Sequence, residues 1–187
     1  MKKYLLPSLK LTVLMIILCA VLYPLLIAAI ANLAPGGGKG ETLSVNGKVV
    51  GYANIGQKFT AYKYFWSRPS AVDYNAAGSG GSNKGPTNPD YLKQVQDRID
   101  TFLVHNPTVK KSEIPADLFT ASGSGLDPHI SPQGALVQVD RITKTRNISA
   151  DKLKQLVEKQ TEGPLLGMFG TSRVNVLKLN IELDKLK

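Results

Sequence analysis

Four side chains near the middle of the chain are of the types that hydrolytic enzymes use. They are Ser122, Ser124, Asp127 and His129. Such groups form a catalytic set when the imidazole activates a hydroxyl. The nucleophile elbow G-x-S-x-G is absent, because the serines lie in the run A-S-G-S-G. An anchored enzyme is therefore the weaker interpretation, and we expect His129 to hold the turn before the next helix. Asp127 and His129 offer two metal ligands with no evident third, so we predict no metal site.

Two loops rich in glycine and serine, residues 76–89 and 120–127, could instead bind a phosphate group. Neither contains the P-loop run G-x-x-x-x-G-K-[ST], since Lys84 is followed by Gly85, and the dinucleotide fingerprint is also absent. Glycine-rich turns before capped helices can still bind anions through backbone N–H groups. The candidate residues for partner or nucleotide binding are Gly80, Gly81, Ser82, Asn83, Ser122, Gly123, Ser124, Gly125, Asp127 and His129.

An uncharged segment, residues 11–34, precedes these loops. As a helix its 24 residues span about 36 Å, enough to cross a hydrocarbon core of roughly 30 Å. Pro24 should kink this helix. We expect Tyr23, Pro24, Ala28 and Ala29 to contact a partner helix in the membrane, because small residues permit close approach. A cleaved signal peptide is the competing interpretation, but the apolar run is longer than a signal core of about 7–15 residues.

Charge predicts the orientation of this helix. Lys2, Lys3 and Lys10 precede it, whereas Lys39 on the far side is balanced by Glu41. The positive-inside rule then places the N-terminus in the cytoplasm and the remaining chain outside. Of the net charge of +9, only +6 belongs to the chain after Lys10, and it is scattered. We therefore predict no nucleic-acid partner. The predicted organisation is a cytoplasmic N-terminus and membrane helix over 1–34, a glycine-rich linker over 35–42, and an extracytoplasmic domain over 43–187.

The outer domain mixes strand and helix signals. Asn46-Gly47 between β-prone runs predicts a hairpin. Six of the 13 aromatic residues fall within 59–74 and predict one corner of the core, with a partner-binding patch as the alternative. Asn88, Ser131 and Ser149 are N-cap residues that predict helices over 89–105, over 132–146 and from 150 to Gly163-Pro164. Alternation predicts a strand over 174–183. The fold class is therefore a single N-terminal transmembrane helix plus a mixed α/β soluble domain of two layers.

Six groups of short runs, in order along nearly the whole chain, form a specific pattern. They are Tyr23-Pro24-Leu25; Gly56-Gln57-Lys58-Phe59; Phe65-Trp66-Ser67-Arg68-Pro69-Ser70-Ala71; Gly80-Gly81-Ser82-Asn83 with Gly85-Pro86-Thr87-Asn88-Pro89; Thr120-Ala121-Ser122-Gly123-Ser124-Gly125-Leu126-Asp127-Pro128-His129-Ile130-Ser131-Pro132; and Val174-Asn175-Val176-Leu177 with Leu179-Asn180. With this pattern the chain resembles the KdpC family, which belongs to the Kdp-type potassium-transporting P-type ATPase, a bacterial and archaeal high-affinity potassium pump.

The resemblance implies a non-catalytic accessory subunit in the bacterial inner membrane, needed for assembly or stability of the pump. Its implied partners are a channel-like potassium-binding subunit, a P-type subunit that hydrolyses ATP, and a very small fourth membrane subunit. The family's alternative role is that of a catalytic chaperone, which raises the ATP affinity of the hydrolysing subunit through a ternary complex with ATP. No cofactor is expected apart from ATP in that role. An extracytoplasmic domain conflicts with ATP contact, and we give the charge-based orientation more weight.

Overall fold

The computed structural model describes residues 2–186, and its contacts divide the chain into two compact units, Met1–Thr42 and Leu43–Lys187. The first unit is helical. Helix α1 spans Lys2–Ile16, a π-helical segment spans Ile17–Leu22, and α2 spans Tyr23–Ala31. Within residues 2–186 one continuous helix, Lys3–Ala31, is long and apolar enough to cross a membrane, and its apolar window is not buried in the chain. The predicted N-terminal apolar helix is confirmed.

The π-helical segment lies immediately before Pro24. Proline has no N–H and its ring collides with the carbonyl of the fourth residue before it in a regular helix. Here the turn is widened, and the Tyr23 N–H donates to the carbonyl of Leu18, five residues earlier. A π-turn is one of the few irregularities that a helix accepts without ending. The kink expected at Pro24 stays a prediction.

The first elements of the soluble unit are the hairpin and the helix that the sequence predicts. Strands β1, Thr42–Val45, and β2, Lys48–Tyr52, flank Asn46-Gly47. Both turn residues have positive φ, 52° at Asn46 and 76° at Gly47, as a two-residue hairpin turn requires. Helix α3, Pro89–His105, begins where Asn88 accepts a hydrogen bond from the Tyr91 N–H. The predicted hairpin and the predicted helix are confirmed.

The remaining elements surround one core. They are 3₁₀ turns at Lys111–Glu113 and Ala116–Leu118, β3 His129–Ile130, α4 Pro132–Leu136, α5 Val139–Arg146, α6 Ala150–Lys159, β4 Thr161–Glu162, β5 Arg173–Asn175 and α7 Val176–Lys185. The three short strands form an antiparallel sheet in the order β3-β5-β4, with His129 opposite Asn175 and Thr161 opposite Val174. Helices α4 and α7 pack against β5, and α6 packs against α4, α5 and α7. The mixed α/β class is confirmed.

The prediction of a long C-terminal strand over 174–183 is wrong. Only Arg173–Asn175 is a strand, and α7 follows it. Asn175 caps this helix, because its side chain accepts a hydrogen bond from the Lys178 N–H. Val176, Leu179 and Leu183 are buried, and their spacing is that of one helical face. The cap and the 3.6-residue period therefore outweigh the alternation on which the strand prediction was based.

The single helix predicted over 132–146 is divided into α4 and α5 at Val137-Gln138. Ser131 caps α4 as predicted, since its hydroxyl accepts the Gly134 N–H. Gln138 is completely buried and its amide NH₂ donates to the carbonyl of Gly134 at 2.8 Å. The Trp66 N–H donates to the other end of the same amide at 2.7 Å. We attribute the break to this use of Gln138, which ties the helix end to a distant part of the chain.

That distant part is the aromatic segment, residues 59–66. Phe65 is fully buried, and Phe59, Tyr64 and Trp66 pack against the core from its edge. Tyr62 is 50% exposed, so the predicted core corner excludes it. The segment lies outside the helices and strands, and side chains supply many of the hydrogen bonds of its backbone. Asn180 of α7 bonds both backbone groups of Phe65, accepting its N–H at 2.9 Å and donating to its carbonyl at 3.0 Å.

A buried guanidinium completes this network. Arg141 of α5 is 6% exposed and donates to the carbonyls of Tyr62 and Tyr64, the latter at 3.0 Å. It also donates to the side-chain oxygens of Asn106 at 3.1 Å and of Gln138 at 2.7 Å. The central carbon of its guanidinium group lies 4.5 Å from the centre of the Trp66 ring, a cation–π arrangement. Neutral oxygens and a ring, rather than a carboxylate, stabilise this cation, and burial lowers the pKa of Arg141 to about 10.

We predict that Arg141→Met destabilises the fold by about 2–4 kcal/mol, because it leaves buried carbonyls of the aromatic segment without a donor. The measurement is urea unfolding of the full chain in detergent, followed by the fluorescence of Trp66, the only tryptophan. The matched control is Arg173→Met, whose side chain is 56% exposed, and its expected effect is within about 0.5 kcal/mol. Equal stability of the two variants would contradict the anchoring role of Arg141.

Candidate functional site

The two glycine- and serine-rich loops lie against each other. The Gly80 N–H and the Ser79 hydroxyl both donate to the carbonyl of Ser124, at 2.9 and 3.0 Å. A methyl group on Gly81 would lie 3.1 Å from the carbonyl oxygen of Gly123, so a side chain at position 81 would press against the second loop. We call the resulting surface the loop platform and define it as residues 68–70, 79–82 and 120–129.

Ser70 and Gly125 lock the platform at its centre. The Ser70 hydroxyl donates to the carbonyl of Gly125 at 2.7 Å and accepts the N–H of Tyr74 at 2.9 Å. Gly125 has φ +67°, a conformation that favours glycine. A Cβ there would lie 2.6 Å from the Val72 side chain and 2.8 Å from the Gly80 carbonyl oxygen. Both backbone conformation and space therefore exclude a larger residue.

Arg68 holds the second loop at both ends. Its guanidinium donates to the carbonyl of Thr120 at 3.2 Å and to the carboxylate of Asp127 at 3.1 Å. The same carboxylate accepts the His129 N–H at 3.0 Å and lies 3.4 Å from the imidazole Nδ1. Burial raises the pKa of Asp127, but the hydrogen bonds from His129 and Arg68 and the charge of Arg68 outweigh it, so that the pKa falls to about 2. Asp127 is thus a structural anion at neutral pH.

The catalytic set considered from the sequence is not assembled in the described residues. The Ser122 hydroxyl accepts the Gly125 N–H at 2.9 Å, and the Ser124 hydroxyl accepts the Leu126 N–H at 3.1 Å. The imidazole of His129 faces Asp127, and neither serine is hydrogen-bonded to it in the described part of the chain. These serines stabilise the turn in which they lie, which is the use that serine commonly has in loops.

The anion-binding capacity of the platform is limited by the same bonds. The N–H groups of Gly80, Gly125, Leu126 and His129 already donate to protein oxygens. Asp127 adds a negative charge beside them. A phosphate group would have to replace these bonds and approach a carboxylate, so the geometry favours a packed surface over a phosphate cradle. Asn83, with φ 52° and an exposed side chain, lies at the outer end of the first loop.

The predicted membrane-contact residues all lie on the uncovered helix. Tyr23, Pro24, Ala28 and Ala29 are exposed. Pro24 and Ala28 are four residues apart and share one face, whereas Ala29 is turned about 100° from Ala28. The side-chain amide of Asn32 donates to the carbonyl of Ala28 at 3.1 Å on this face. Whether these residues contact a partner stays a prediction.

Sequence reasoning assigned no function to an exposed hairpin between β4 and β5. We call residues 164–169 the apolar tip. Its large apolar side chains, Leu165, Leu166, Met168 and Phe169, are 70, 79, 76 and 62% exposed. The signal was present in the sequence, since these four residues lie between Gly163 and Gly170 without helical or strand periodicity. The anchoring roles of Arg68 and Ser70 were also missed, because their partners lie more than 50 residues away.

Comparison with known proteins gives a family for nearly the whole chain. A family model described as the c chain of the K⁺-transporting ATPase matches residues 5–185. The "Potassium-transporting ATPase KdpC subunit" of Flavobacterium psychrophilum is 65% identical over 96% of each chain. The protein of the same name from Flavobacterium johnsoniae is 63% identical over 99% of this chain and 100% of the relative. That from Bacteroides fragilis is 51% identical over 99% and 98%.

The glycine contacts of the platform predict different effects for two neighbouring positions. Gly125→Ala should destabilise the fold by about 2–4 kcal/mol, because it combines an unfavourable φ with a collision against Val72 and Gly80. Gly123→Ala should cost less than about 1 kcal/mol, since a methyl group there meets nothing within 4 Å. Urea unfolding of the full chain in detergent measures both. If the two variants are equally stable, the close packing of the loops is not what holds the platform.

Proposed function

Because the chain belongs to the KdpC family, the c chain of K⁺-transporting ATPases, we propose that it is an accessory subunit that stabilises the assembled pump from the membrane and from its outer face. The observation that carries this proposal is the apolar helix Lys3–Ala31, whose apolar window the chain itself leaves uncovered. A helix with many exposed apolar side chains and one small-residue face is suited to packing against other membrane helices.

The helix offers a specific face for such packing. Pro24 and Ala28 present little side-chain volume, so a partner helix can approach the backbone closely there. The π-helical segment Ile17–Leu22 ahead of Pro24 widens the helical turn there, with the Tyr23 N–H bonded to the Leu18 carbonyl. We propose the channel-like, potassium-binding subunit as the partner at this face. The P-type ATP-hydrolysing subunit and the very small fourth subunit are the other proposed members of the complex.

We propose the orientation of the helix from its flanking charges. Lys2, Lys3 and Lys10 precede the apolar segment without an acidic residue among them, and on the other side Lys39 is balanced by Glu41. This asymmetry supports a cytoplasmic N-terminus and an extracytoplasmic soluble domain. In a cell with two membranes the soluble domain would lie in the periplasm. A domain there is separated by the bilayer from cytoplasmic ATP.

The structure of the platform supports assembly rather than the family's alternative role in ATP binding. The N–H groups of Gly80, Gly125 and Leu126 donate within the platform, and Asp127 is held as an anion beside them. Such a surface is suited to contact with a protein partner, because its loops already have a fixed conformation before binding. ATP is therefore not among the ligands that we propose for this chain.

We predict that Ala28→Lys releases the chain from the pump, because a charge on the packing face must be buried between helices. Ala28→Leu tests bulk without charge and should weaken the association as well. The measurement is the amount of this chain that co-purifies with the other subunits, normalised to the amount in the membrane fraction. The matched control is Leu26→Phe, which adds bulk on the opposite face. Full co-purification of Ala28→Lys would count against packing at this face.

We also predict that a reporter active only outside the cytoplasm gives a signal when it is fused after Lys187. The three lysines before the helix are the physical reason. The matched control is the same reporter fused ahead of Lys2, which should be inactive. Activity of the N-terminal fusion instead of the C-terminal one would place the domain in the cytoplasm and return ATP to the candidate ligands.

A further inference from the structure

The exposure of the apolar tip is not explained by folding. Burial of a large aliphatic or aromatic side chain stabilises a fold, yet four of them project here within five residues, each more than 60% exposed. Contiguous exposed apolar patches commonly mark interaction sites. Within the described residues no hydrogen bond joins the tip, residues 164–169, to a side chain of the loop platform. We therefore treat the tip as a separate surface.

The backbone of the tip is ordered although its side chains are uncovered. Leu165 and Phe169 form an antiparallel pair, with the Leu165 N–H donating to the carbonyl of Phe169 at 2.9 Å and the reverse bond at 3.0 Å. The Gly167 N–H donates to the carbonyl of Pro164 at 3.0 Å. A three-residue turn thus presents Leu166 and Met168 in one conformation, and binding would need little further ordering of the backbone.

Leu166 stands at a position that does not suit it. Its φ is +55°, in the left-handed region that a residue with a branched side chain rarely adopts. Glycine would be less strained there, and a polar residue would be better solvated at 79% exposure. Strain of this kind is found where function requires a particular side chain at a particular place.

The charges at the base of the hairpin distinguish a protein partner from a lipid surface. Glu162 lies 3.2 Å from Arg173 and 3.8 Å from Lys178, so the nearby basic groups face an acid of the same hairpin. Residues 163–172 contain no charge. Segments that insert into a membrane surface typically combine apolar residues such as Trp, Phe and Leu with a polar face rich in Lys and Arg. Residues 163–172 have no such basic face, and Met and Phe are also enriched at protein–protein interfaces.

We propose that the apolar tip is a docking knob that inserts into a neutral, apolar pocket on another protein subunit of the same pump. This inference rests on the accessory role proposed above. The tip gives the soluble domain an attachment of its own, in addition to the one through the membrane helix. Leu166 and Met168 enter the pocket, and the paired charges at the hairpin base lie at its rim.

Site-specific crosslinking in the intact pump tests this proposal. A benzophenone amino acid replaces Met168, and in the matched control it replaces Val104, which is 76% exposed on α3. The expected product is an adduct of this chain with a second, different subunit from position 168 and not from position 104. Adducts with lipid alone, adducts between two copies of this chain, or no adduct above the control would each overturn the inference.

A second variant separates docking from folding. Leu166→Gly removes the side chain that enters the pocket and relieves the positive φ, so the isolated full chain should be at least as resistant to urea as the wild type. In the pump it should dissociate at least about tenfold faster in detergent, and Leu166→Met should restore slow dissociation. Unchanged dissociation of Leu166→Gly would refute the knob. If this chain fails to co-purify even as wild type, the accessory role itself is wrong, which is a distinguishable result.

Discussion

The soluble unit depends on a buried cation that meets no carboxylate within the described residues. Arg141 directs its hydrogen bonds to backbone carbonyls of the aromatic segment and to the amides of Asn106 and Gln138. An unpaired charge is costly to bury, so all the oxygens around it must be in place together. The network thereby fixes an irregular stretch of chain, residues 62–66, through side-chain hydrogen bonds. Arg68 and Ser70 follow within four residues, and the loop platform takes its position from them.

Local chemistry was readable from the sequence. The turn at Asn46-Gly47 and the caps at Asn88, Ser131 and Ser149 were predicted correctly, because each depends on hydrogen bonds within three or four residues. The C-terminal segment was misread because its apolar residues fit both a period of two and a period of 3.6. The Asn175 cap decides between helix and strand in the structure. In the sequence an asparagine can be identified as a cap only if a helix is already expected after it. The division between α4 and α5 depends on Trp66, 72 residues from Gln138, and no local signal carries it.

The site was harder to predict than the elements around it. The sequence indicated two loops rich in glycine and suggested phosphate as one reason for them. The structure gives a different reason, since Gly125 has no room for a Cβ and Gly81 lies close to the backbone of Gly123 in the facing loop. Composition cannot distinguish these two reasons. A glycine that leaves space for a ligand and a glycine that leaves space for another backbone segment are identical in a sequence. The apolar tip was missed for a different reason. A search for the periodicities of helices and strands does not detect apolar residues that follow neither period.

The close contact between the loops limits how far the platform can adapt to another surface. At Gly81 and Gly123 backbone lies close to backbone without a side chain between them, so no rotamer can adjust at that contact. A partner surface that shifts during the transport cycle cannot be followed by small rearrangements of the platform. Complementarity to any partner surface must instead be made or lost as a whole, because the platform has no side chains at these contacts that could adapt to a change in shape.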